Sequence, residues 1–154
     1  MAHFSHPDRI IFIASGLGGA GALPFFAAAY LSISDLSFIG IAASSLLAGY
    51  GAIILSFLGG LHWGRIASKP ALSKGDGVLL IHSIWPSLLG WSALYMPPQT
   101  GLPLLAGGFF ICGMIDARLI RAGGFARWML PLRLILTSCA VTSLLLAAAL
   151  APNS

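Results

Sequence analysis

The sequence predicts an all-α, polytopic integral membrane protein: a five-helix transmembrane bundle with its N-terminus in the cytoplasm and its C-terminus outside. Three observations carry this. Of 154 residues, 58% are hydrophobic and only 8% are charged, where a soluble domain carries about 25% charged residues. The mean hydropathy is +0.94. Five apolar stretches reach the ~20 residues that a helix needs to cross hydrocarbon, and the basic residues all gather on one side of them. The length suits a single membrane domain, residues 1–154.

The predicted helices run from about Ile10 to Leu31, Phe38 to Trp63, Gly77 to Met96, Gly101 to Ile120, and Trp128 to Leu150. SISDLS, GRIASKPALSKGD, PPQT and the turn RAGGFAR connect them. No stretch alternates as a spanning β-strand would. The N-terminus MAHFSHPDR lacks the basic region and short apolar core of a removable signal, and is not read as one.

The charges test the helix count independently. With five spans, the N-terminus, second loop and fourth loop share a side. Arg9, Arg65, Lys69, Lys74, Arg118, Arg121, Arg127 and Arg133 then all lie there. The positive-inside rule makes that side cytoplasmic, with the N-terminus inside and the C-terminus outside. A net charge of +4 on so apolar a chain reads as topology and lipid contact. No basic run is interleaved with stacking aromatics, so nucleic acid is excluded as a partner.

The second helix carries small residues at every fourth position: Gly40, Ser44, Ala48, Ala52, Ser56, Gly60 and Gly64. Small residues at that spacing let backbones approach in lipid. The series drifts around the helix, so the second helix is expected to be central. Gly16, Gly18 and Gly21 match G-x-G-x-x-G, but no strand precedes them, so close helix packing is the better account. Pro24, Pro86 and Pro131 are expected to kink or start helices. Cys112 and Cys139 read as buried small hydrophobes.

The ionisable residues near helices share one depth. His62 and Arg65 close the second helix, and His82 is expected about 7–8 Å into the third. Asp116 and Arg118 lie near the inner end of the fourth, and Arg133 begins the fifth. In one reading the arginines snorkel to phosphates and Asp116 pairs with an arginine. In the other, His62, Arg65, His82, Asp116, Arg118 and Arg133 hold a ligand or ion, since intramembrane ionisable groups are functional candidates. Catalytic templates find no match. The chain has no glutamate, no H-E-x-x-H and no nucleophile elbow, and it suggests no metal site. Haem on His62 and His82 is the one cofactor with ligands of the right type, and no other cue supports it, so no cofactor is expected.

YGAIILSFLGGLHWG at Tyr50–Gly64, WPSLLGW at Trp85–Trp91, the Asp-x-Arg at Asp116–Arg118 and FARWMLPLRLILT at Phe125–Thr137 together resemble the family of mitochondrial transmembrane protein 69 and its bacterial homologues, a domain-of-unknown-function family. A single arginine, Arg133, stands where that pattern has an Arg-x-Arg pair. The resemblance implies a small multi-pass inner-membrane protein and brings no activity. The functional expectation is therefore a non-enzymatic, helix-packing protein that binds lipid, a membrane-protein partner or another copy of itself. The alternative is a proton, ion or small-anion carrier using the His/Asp/Arg cluster.

Overall fold

The structure, a computed structural model, describes residues 6–151, with side chains from residue 9 onward; Asp8 falls outside the described side chains. Six helices follow in order: α1 His6–Ala20, α2 Leu23–Ile33, α3 Ala43–Ala67, α4 Asp76–Ala93, α5 Pro98–Arg121 and α6 Met129–Leu150. Among the described residues, four helical stretches are long and apolar enough to cross a membrane: Arg9–Ile33, Ala43–Ala67, Pro98–Arg121 and Met129–Leu150. α4 is shorter, at 18 residues, or about 27 Å at 1.5 Å per residue.

The predicted first span is two helices. Pro24 sits in the first turn of α2, where its missing N–H costs nothing and its fixed φ suits a helix start. The chain breaks just before it, and the Tyr50 hydroxyl donates to the Gly21 carbonyl at the break (2.7 Å). The predicted second span also shifts. Its first residues form a small antiparallel hairpin, β1 Ser37–Phe38 with β2 Ile41–Ala42. Ile39 and Gly40 turn it with φ of +53° and +73°; positive φ at both central residues is the tight hairpin geometry. At its other end α3 runs four residues past Trp63, stopping at Ala67 with Ser68 as its cap. Pro70 follows and cannot continue a helix.

α3 packs against α2, α4 and α5, while α6 lies along α5 and α2. α1 touches little besides α6, and Phe12 and Leu17 on it are largely exposed. The core joins Phe25, Leu47, Leu55, Leu102, Leu105, Phe109 and Leu144. Phe25 meets Phe109 edge-on at 5.5 Å and Tyr50 at 4.9 Å, a favoured aromatic geometry.

The close helix approaches differ from the predicted ladder. Gly40 lies in the hairpin turn, outside α3. Gly60 and Gly64 are exposed with open space around them. Ser44, Ala48 and Ser56 are half-buried, and Ala52 is buried. The tight contact falls one residue earlier, on Gly59, where a Cβ would stand 2.2 Å from the Ser83 carbonyl oxygen of α4. Gly90 of α4 in turn lies against Ala52. α3 buries two faces: Gly51 and Leu55 meet α5, with Gly51 also against Leu144 of α6, while Ala52 and Gly59 meet α4.

Candidate functional site

The basic end of the bundle gathers the C-terminal turns of α3 and α5 and the N-terminal turns of α4 and α6. Gly59 lets α3 and α4 close to backbone contact one turn from His62, and this sets the spacing of the two histidines. The His62 and His82 rings meet edge to face, 5.4 Å apart. His82 is therefore level with His62, not deeper as expected, because α3 extends a turn beyond its predicted end. His62 is then about 7.5 Å from the end of its helix and His82 about 9 Å from the start of its own.

Asp116 is the centre of the cluster. It is 3% exposed, and His62 is 0% exposed. His62 Nε2 lies 2.9 Å from Asp116 Oδ1, off the line of a hydrogen bond, so the contact is electrostatic rather than aligned. On the other carboxylate oxygen, Arg133 of α6 donates from Nη2. One carboxylate thus ties α3, α5 and α6 together. α4 joins through His82, whose Nδ1 accepts from Trp85 Nε1 at 2.5 Å. His62 Nδ1 and His82 Nε2 are buried with no hydrogen-bond partner among the described residues. Pro86, one turn beyond His82, cannot donate the helix bond to the His82 carbonyl.

Phe125, from the loop between α5 and α6, covers the cluster. Its ring lies 5.9 Å from His62, and the Arg65 guanidinium stands over it at 5.4 Å, within cation–π range. Gly124 beside it leaves room for that guanidinium: a Cβ there would come within 2.8 Å of Arg65 Nη2. Of the six candidate residues, four converge: His62, His82, Asp116 and Arg133. Arg65 sits on the cover, and Arg118 is exposed to one side. Sequence reasoning missed Trp85 and Phe125 as members. Their signal was an i, i+3 His–Trp pair on one helix face and an aromatic in an otherwise basic turn.

The two histidines pack against one another instead of facing across a gap, which does not suit axial ligation of one haem. Among the described residues, no group of three His, Cys, Asp or Glu side chains is arranged to hold a metal ion. A separate ionic staple closes the loop before α4. Lys69 Nζ lies 2.5 Å from Asp76 Oδ1, and the Ser73 backbone N–H and hydroxyl donate to Oδ2. Lys69 and then Ser73 hold the Asp76 carboxyl down to about 2, from an ordinary 3.8.

A family model described as "Protein of unknown function (DUF3429)" matches residues 11–149. The chain belongs to the DUF3429 family. Its curated DUF3429-like relatives include Transmembrane protein 69 of Xenopus tropicalis, 35% identical over 131 residues, covering 83% of this chain and 50% of the relative. Transmembrane protein 69 of Mus musculus is 29% identical over 127 residues, covering 80% and 50% respectively. The chain therefore spans about half the length of these relatives. No solved structure matches. The aligned relatives are transmembrane proteins by name, which agrees with the apolar helices here and identifies this DUF3429 chain as a multi-pass membrane protein.

Proposed function

We propose that this protein is a non-enzymatic, five-span protein of the inner membrane whose bundle is held shut at its basic end and whose outer helix faces bind lipid or a membrane partner. The observation that carries this is the closure of Asp116 between His62 and Arg133. A carboxylate that accepts from Arg133 with His62 close on its other oxygen, and with Phe125 and Arg65 beyond His62, has its charge met inside the protein. Four-helix ties of this kind favour one packing of the bundle over others. A fifth crossing is supported by the path of α4: α3 and α5 both run toward the basic end, and α4 returns between them, antiparallel to α3. The gathering of all Lys and Arg at that end supports a cytoplasmic N-terminus. α1, with most of its apolar surface exposed, is the face best suited to a partner.

Crosslinking in native membranes, with a photoreactive residue at Leu17, tests this. A discrete crosslinked protein or lipid species supports the reading. A monomer in mild detergent that crosslinks to neither overturns it. A second reading is favoured by one observation, the buried unpartnered nitrogens of His62 and His82. Two such rings 5.4 Å apart, beside a carboxylate, suit a proton or small-ion path. Proteoliposome flux abolished by His82→Ala and Asp116→Asn supports it; flux indifferent to both contradicts it.

A further inference from the structure

The protons of the two clustered histidines can be placed atom by atom. An indole nitrogen only donates. Trp85 Nε1 donates to His82 Nδ1 at 2.5 Å, so that nitrogen carries no proton. A neutral imidazole then carries its proton on Nε2. His62 Nε2 stands 2.9 Å from Asp116 Oδ1. A bare nitrogen lone pair that close to a carboxylate oxygen would be repelled, so the His62 proton also lies on Nε2. Asp116 already has Arg133 as its countercharge, Arg65 stands beyond Phe125, and Asp76 at the start of α4 is held by Lys69. No further acid among the described residues of the cluster is left to balance a protonated ring, and an uncompensated charge at this depth is costly. Both rings are therefore neutral.

With His62 Nε2 facing Asp116, two buried nitrogens are left without a partner among the described residues. His82 Nε2–H is a donor lacking an acceptor. His62 Nδ1 is an acceptor lacking a donor. The ring centres lie 5.4 Å apart, within the reach of one bridging molecule. An anion would ask for donors on both rings, and a cation for acceptors on both. One of each suits a neutral molecule that takes one hydrogen bond and gives another. A buried water, with its about two to four polar partners, has this chemistry.

We infer that one buried water joins the two rings and completes a single hydrogen-bond chain from Trp85 through His82 and His62 to Asp116. Every donor in it points toward Asp116, and that direction decides what the chain does. A proton moved one step along it must be replaced at the start. The start is the Trp85 indole, which donates but does not release its proton near neutral pH. His82 cannot hand a proton onward either, since its Nδ1 faces only that N–H. The chain is thus a tie among α3, α4 and α5 and a dead end for protons. It rests on the reading of the basic end as held shut, and adds Trp85 as the positioning residue that fixes the His82 tautomer.

Nitrogen NMR of histidine-labelled protein in mild detergent tests this. The chain has four histidines, and His82→Gln assigns the His82 signals by their loss. His82 is expected with its proton on Nε2 and none on Nδ1, and this N–H should show cross-relaxation to a long-lived water. Trp85→Phe keeps an aromatic ring without the donor and should shift the His82 tautomer ratio about tenfold, the worth of one hydrogen bond. Proton flux into proteoliposomes of the wild type should equal that of protein-free vesicles. A wild-type His82 proton on Nδ1, a doubly protonated His62 at neutral pH, no water contact, a ratio unmoved by Trp85→Phe, or a proton flux that His82→Ala abolishes each overturns the proposal. Crosslinking at Leu17 can fail with all of these results intact, so the two readings fail separately.

Discussion

The two ends of the bundle handle charge in opposite ways. At the basic end, Asp116 is buried with Arg133 and His62 against it, and the helices close over the three. At the other end, Asp35 stands exposed beside an open cavity with no lysine or arginine near it. The difference follows from depth. An unpaired charge within hydrocarbon is costly, so an acid at the level of Asp116 is retained only with a partner. An acid in a loop, like Asp35, is solvated and can stay single. One end is thus compensated by the protein itself, and the other leaves a charge for something else to meet.

That comparison breaks first at Arg133. Arg133→Met leaves the Asp116 carboxylate buried with His62 alone and should lower unfolding stability by about 3–5 kcal/mol, measured by denaturant titration in mild detergent. Asp35→Asn should stay within about 0.5 kcal/mol of wild type, as exposed substitutions do. Similar losses from both would erase the distinction between the ends.

Next comes the close approach that sets the cluster. Gly59→Ala places a Cβ 2.2 Å from backbone oxygen, where no flexible side chain can yield. A loss of about 1–3 kcal/mol is expected, with a weakened His62–His82 contact visible in imidazole NMR shifts. Gly60→Ala, facing open space, should be neutral or slightly stabilising.

Smaller effects sharpen the picture at the rim. Arg65→Ala removes the guanidinium from Phe125 and should cost about 0.5–1 kcal/mol. It should also speed hydrogen exchange in the 121–128 turn. Lys69→Ala should lower stability only slightly near neutral pH, since the pair lies at the surface. Because the Asp76 carboxyl is lowered on folding, its contribution is present above its ordinary 3.8 and disappears as pH falls toward about 2. The gap between wild type and Lys69→Ala should therefore narrow across that window.

Much of the fold was legible because helix length and charge placement are one-dimensional signals. Runs of about twenty apolar residues mark the candidate spans, and the cations fall at helix ends, as with Arg65, Arg118, Arg121 and Arg133, or in the loops between them, as with Lys69, Lys74 and Arg127. That His62, His82, Asp116 and Arg133 lie toward one end of the bundle was legible for the same reason, though not that His82 is level with His62. What was not legible depends on rotation about helix axes. The every-fourth series beginning at Gly40 and the series through Gly51, Leu55 and Gly59 are one residue apart, and the positions of α4 and α5 together decide which members are buried: Ala52 and Gly59 against α4, Gly51 and Leu55 against α5. The choice of Arg133 over Arg118 as partner of Asp116 likewise depends on which face of α5 meets α6. The hairpin at Ser37–Ala42 was hidden because Phe38, Ile39 and Ile41 extend the apolar run of α3. The cavity beside Asp35 was hidden because residues from four separate segments build it, none of them distinctive alone.

The central claim is that Asp116 and Arg133 stabilise the bundle as a pair. A double-mutant cycle tests this most directly: unfolding free energies in mild detergent for wild type, Asp116→Leu, Arg133→Met and the double variant. Each single variant should lose about 3–5 kcal/mol. The double variant should lose clearly less than the two together, because neither charge is then left buried alone, giving a coupling of about 0.5–3 kcal/mol. Additive losses, or single variants as stable as wild type, would contradict the account.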